Sequence, residues 1–64
     1  MKGEELKFED LKINMQVVDE DDDVAVVISL ENMYNVELQY GTTGKGFCCI
    51  AENCCNEKLY KYEK

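Results

Sequence analysis

The stretch YNVELQY, residues 34–40, places Tyr34, Val36, Leu38 and Tyr40 on one parity and Asn35, Glu37 and Gln39 on the other. A period of two puts the first set on one face of an extended strand and the polar set on the opposite face. Such a strand is not stable alone. Its apolar face needs a second layer or a curled sheet, and its backbone needs neighbours. The rest of the chain must therefore supply strands, and it has only 64 residues in which to do so.

The residues supply them. VAVVISL (24–30) is rich in β-branched side chains, which favour strands. Val24, Val26, Ile28 and Leu30 form its larger face and Ala25, Val27 and Ser29 its smaller one, as in a central strand. ENM (31–33) is a short hairpin connection to the alternating run. Upstream, MQVVD (15–19) reads as a strand entered through a turn at Asn14, since asparagine ranks after glycine for a positive φ. Downstream, GFCCIA (46–51) and KLYKYE (58–63) read as two more strands, with ENCCNE (52–57) as a turn or one helical turn. Leu6, Phe8 and Leu11 are expected to cap the core from an irregular segment or brief helix, residues 1–10 being the least regular part.

Five short strands predict an all-β, single-domain fold over 1–64: a small five-stranded antiparallel barrel, with room for one short helical turn. Closure is expected because it removes the exposed edges of a small open sheet. The predicted core is Val17, Val26, Ile28, Val36 and Leu38.

Charge narrows the function. Fourteen acidic residues face seven lysines, with no arginine and no histidine, for a net charge of −7. Affinity for nucleic acid comes largely from cations that neutralise phosphates, so direct nucleic-acid binding is not expected. The lack of histidine removes the commonest general base and every His-dependent zinc pattern. No catalytic pair stands out, and the expectation is a protein that is not an enzyme and carries no cofactor. No apolar run approaches the roughly 20 residues of a membrane span. The N-terminus MKGEELKFED has no apolar stretch like that of a signal peptide, so a cytoplasmic location without membrane association is expected.

The segment LKINMQVVDEDDDVAVVISLENMYNVELQYGTTGKGFCCI resembles small SH3-like barrels of the KOW and Tudor type. Asn14, Val17, Val18, Val26, Ile28, Val36, Leu38 and Tyr40 occupy the turn and strand positions of that outline, and the resemblance covers residues 11–62. It implies a fold more than a function, because such barrels host many unrelated activities.

Four local features bear on chemistry. GTTGKG (41–46) is not a phosphate-binding loop: Gln39 stands where the first glycine belongs, and Gly46 where a Ser or Thr belongs. A glycine-rich hairpin turn explains it better. DEDDD (19–23) is not an EF-hand, since Val24 falls at the sixth position and Leu30 at the twelfth. Asp19, Glu20, Asp21, Asp22 and Asp23 instead form an acidic loop, able at most to gather a solvated divalent ion. Cys48, Cys49, Cys54 and Cys55 match the number of a structural zinc site but not its usual spacing. Neighbours on a strand point to opposite faces, so one metal could hardly take both Cys48 and Cys49. Cys49 with Cys54, or Cys48 with Cys55, could meet across the turn, and reduced, metal-free thiols are expected. Tyr34, Tyr40, Phe47, Tyr60 and Tyr62 match in number the aromatic cage that holds a methylated cation in Tudor barrels, although the parity of Tyr34 and Tyr40 assigns those two to the core.

The function these features favour is a non-enzymatic acidic interaction module. It binds a partner protein with a basic surface through Asp19, Glu20, Asp21, Asp22 and Asp23. Two alternatives remain open: a nucleic-acid mimic of the kind phages and mobile elements carry, and a small metal-binding or redox-linked protein that uses the cysteines.

Overall fold

The computed structural model describes residues 2–41, 44–51 and 57–63. It is all-β. Six strands, β1 (Lys2–Leu6), β2 (Gln16–Val18), β3 (Val24–Asn32), β4 (Asn35–Tyr40), β5 (Gly44–Cys48) and β6 (Leu59–Tyr62), form one sheet in the order β1-β6-β2-β3-β4-β5. Every pairing is antiparallel. The strand missed by sequence reasoning is β1. KGEEL has no apolar alternation; its strand state comes from pairing with β6, Leu6 opposite Leu59 and Lys2 opposite Tyr62. The sheet has six strands where five were expected, and among the described residues no ladder joins β1 to β5 to close it.

Between β1 and β2, Phe8–Asp10 make one 3-10 turn. The Lys7 N–H donates to Asp10 Oδ2 at 3.0 Å, and the Asp10 N–H donates to the Lys7 carbonyl at 2.9 Å. This turn carries Leu11 into the core, with Leu6 and Phe8 packed against its margin, the role expected of these three residues. Asn14 has φ 72°, the left-handed value anticipated for it, and its N–H donates to the Val27 carbonyl at 2.7 Å.

The main core cluster lies on one face of the sheet: Val17, Ala25, Val27, Val36, Leu38, Cys48 and Leu59, with Leu11 against them, while Val18 and Ala51 are buried outside it. Val17, Val36 and Leu38 are as expected, but Val26 and Ile28 are not core residues. The register explains the reversal. Val17 pairs with Ala25, and Val27 pairs with Leu38, so the buried face of β3 begins on the odd, smaller-residue parity. An extra residue then enters β3 at Ile28, since Val27 pairs with Leu38 but Ser29 pairs with Glu37. The bulge shifts the parity, and Leu30, opposite Val36, turns to the core.

Tyr34 also departs from expectation. The β3–β4 turn lies at Met33–Tyr34, an Asn32 side-chain oxygen accepts the Tyr34 N–H at 2.9 Å, and Tyr34 is 54% exposed. At the other end of β4, Gly41 turns with φ 54° and Gly44–Cys48 form a strand, so Lys45 pairs with Gln39 and sits in no phosphate loop. Gly46 makes room for Tyr40: a Cβ there would lie 3.2 Å from the Tyr40 ring.

Candidate functional site

The acidic loop is the β2–β3 hairpin connection, and one of its own carboxylates folds it. The Asp22 N–H donates to the Asp19 carbonyl at 3.1 Å, and the Asp19 N–H donates to the Asp23 carbonyl at 3.0 Å. Asp22 takes a φ of 68° to make the return, a conformation that Asp tolerates better than most side chains. Asp19 Oδ1 accepts the N–H groups of Asp21 at 2.8 Å and Asp23 at 2.9 Å. Its other oxygen, Oδ2, accepts the Tyr40 hydroxyl at 3.0 Å. Asp19 is half-buried, whereas Glu20, Asp21, Asp22 and Asp23 are exposed. The five candidate residues thus divide into one organiser and four presenters.

Two residues outside the loop complete it. Tyr40, at the end of the core face of β4, anchors Asp19 and has its hydroxyl pKa pushed up, by burial first and then by the hydrogen bond and charge of Asp19. Lys2 donates its ammonium to the Glu20 carbonyl at 2.8 Å and lies 5.0 Å from the centre of the Tyr60 ring. Neither role was read from the sequence. Tyr40 carried a signal, since it ends an apolar parity beside the acidic loop's own hairpin. Lys2 carried none, because its position depends on β1 joining β6.

Beside the loop is a pocket of about 190 Å³. Asp19, Glu20, Asp21 and Glu57 line it, with Tyr40, Phe47 and one cation, Lys58. Phe47 is 66% exposed, the most exposed large apolar side chain among the described residues. Of the five aromatics considered for a cage, Tyr40 and Phe47 share this pocket. Tyr60 instead lies under Lys2, and Tyr62 pairs with Lys2 across β1 and β6.

Asp19, Asp21 and Asp23 each offer a carboxylate oxygen within 4.8 Å of the others, close enough in principle for one hard cation. Both Asp19 oxygens are already acceptors.

The cysteines are divided. Cys48 faces the core as a free, buried thiol, whereas Cys49 is disulfide-bonded, contrary to the expectation of reduced thiols throughout. The alternation of an extended segment sends the two side chains to opposite sides, and only Cys49 is turned out of the core. A four-cysteine zinc site would need Cys49 as a thiolate, which a disulfide does not supply. Cys54 and Cys55, and the expected 52–57 turn apart from Glu57, lie outside the described residues.

Burial pushes the Cys48 thiol up from the ordinary value of 9.0 to about 11, with the charge of Glu57 as the lesser cause. A raised pKa means the fold prefers the protonated thiol. Its contribution to stability is therefore complete below about pH 9 and lost as pH rises through about 11. Urea midpoints measured from pH 8 to 11 should fall over that window, and fall less steeply in Cys48→Ala. Equal slopes in the two proteins would show that Cys48 titrates as an ordinary thiol.

Comparison with protein-family models, with curated proteins and with solved structures finds no match to this chain.

Proposed function

We propose that this chain is a non-enzymatic, acidic interaction module that receives a basic surface of a partner protein at the Asp19–Asp23 end of the sheet. The observation that carries the proposal is the pocket lined by Asp19, Glu20, Asp21 and Glu57 together with the exposed Phe47, four carboxylates against the single cation of Lys58. An exposed aromatic ring among carboxylates suits one kind of visitor: a lysine or arginine side chain. Its charge is attracted by the acids, and its stem and cation pack on the ring. Around the pocket, Asp21, Asp22 and Asp23 point into solvent on a loop already ordered by Asp19, so little ordering is left for binding to impose.

The proposal includes an SH3-like character for the sheet. Its support is connectivity: β2 to β5 run as a meander, and β6 returns beside β2. A second support is the acidic pocket, which residues of both β5 and β6 line.

Decalysine is a suitable probe of the loop. Asp21, Asp22 and Asp23 changed together to Asn should slow its association about tenfold at low salt and flatten the salt dependence. Glu4, Glu31 and Glu37 changed together to Gln remove the same number of charges elsewhere and should have a much smaller effect. Wild-type association should fall as salt shortens the Debye length from about 10 Å at 0.1 M to about 3 Å at 1 M. Equal losses in the two triple variants would reduce the loop to a share of the net charge and refute the proposed site.

A further inference from the structure

We propose that a second surface, the groove between the end of β1 and the β3–β4 turn, docks an extended partner segment in which basic and apolar residues alternate. The groove holds about 460 Å³, within the roughly 300–1,000 Å³ typical of binding pockets. Its floor is apolar. Leu6, Phe8 and Ile50 are partly buried against the core, and Met33 is 40% exposed. Glu5, Lys7 and Glu9 also line it, with the Glu5 carboxylate 3.9 Å from the Lys58 ammonium.

The walls are preformed. The Ile50 N–H donates to the Met33 carbonyl at 2.8 Å, which fixes one side. The paired hydrogen bonds between Lys7 and Asp10 fix the 3-10 turn on the other.

Two observations choose the occupant. First, the groove begins at the last residues of β1, an edge strand that among the described residues pairs only with β6. An open edge offers backbone donors and acceptors to an extended chain, and the adjoining pocket takes that chain's alternate side chains. Second, the flank is acidic. Residues 2–10 hold Glu4, Glu5, Glu9 and Asp10 against Lys2 and Lys7. Carboxylates around an apolar floor complement lysine or arginine next to leucine-like or phenylalanine-like residues. They disfavour a second copy of this chain, which would bring the same acidic edge and another net charge of −7. The groove adds an apolar requirement that the acidic loop does not have, and the two sites can fail separately.

Three heptapeptides test it: Lys-Leu-Lys-Phe-Lys-Leu-Lys, a version with Ser at the apolar positions, and a version with Glu at the basic ones. Titrated into isotope-labelled protein, the first should move the Met33 methyl signal and the amide signals of Leu6, Phe8 and Ile50. Its Kd should be at least tenfold lower than that of either control. Met33→Ser and Glu9→Lys alter exposed side chains; each should weaken binding fivefold or more with the melting temperature unchanged. Changes confined to the Asp19–Asp23 amides would overturn the groove proposal while supporting the loop. Equal binding of the Ser peptide would also overturn it, as would groove signals that move with protein concentration in the absence of peptide, the mark of self-association.

Discussion

Val27→Asp should leave the chain unfolded, while Val26→Asp should still fold. The two residues are adjacent, and the sequence assigned the core to the second of them. In the structure Val27 is fully buried opposite Leu38, whereas Val26 faces the other side of the sheet opposite Gln39. A carboxylate at 27 would sit among Val17, Val36 and Leu38 with no partner, at a cost of several kcal/mol. Small domains have about 5 kcal/mol in hand near the lower end of the usual range. Val36→Asp, at another fully buried site across the bulge, should fail in the same way. Far-ultraviolet circular dichroism and amide dispersion of the purified variants decide the matter. A folded Val27→Asp beside an unfolded Val26→Asp would mean that β3 is registered one residue away from the pairing described.

Asp19→Ala should be the most damaging change in the acidic loop, although it removes only one of five neighbouring charges. Its carboxylate accepts three hydrogen bonds, from the Asp21 and Asp23 amides and from the Tyr40 hydroxyl. Hydrogen bonds to a charged group are worth about 1.5–3 kcal/mol each when protected, and less at a solvated loop. A net loss of about 2–3 kcal/mol is expected, which for a domain of this size lowers melting by about 10–20 °C. Tyr40→Phe should cost less, since it removes one of the three bonds and leaves no unsatisfied hydroxyl. Asn at 21, 22 and 23 together should leave the melting temperature unchanged or raise it by easing like-charge repulsion. Thermal melts of the three proteins separate the organiser from the presenters. An Asp19→Ala protein that melts with the wild type would show that the loop holds its shape without Asp19.

Much of this architecture was legible in the residues because local patterns coincide with tertiary demands. The alternation in 35–40 set the strand and buried face of β4, and Val36 and Leu38 are in the core. Asn14 declared a left-handed turn, because few other side chains tolerate that conformation. The glycines of 41–46 marked a hairpin and not a phosphate loop, and five of the six strands were placed, although β5 is Gly44–Cys48 where 46–51 was expected. The acidic run was visible as a loop between strands.

Pairing decided the rest. Both faces of VAVVISL are apolar, so its hydrophobicity is silent about which faces inward. Register with β2 and β4 selects Ala25 and Val27, and the bulge at Ile28 then hands the core to Leu30. KGEEL becomes a strand because β6 offers it an edge, and with it comes the placement of Lys2 at the acidic loop. Within DEDDD the five residues look equivalent along the chain. They differ only because Tyr40, 21 positions away in sequence, reaches Asp19 and makes it the support on which the other four are displayed. Composition and periodicity specify strands, turns and overall charge, since those depend on near neighbours. Which carboxylate organises, which strand face is buried and where a groove opens depend on contacts between distant segments, and those only the folded sheet supplies.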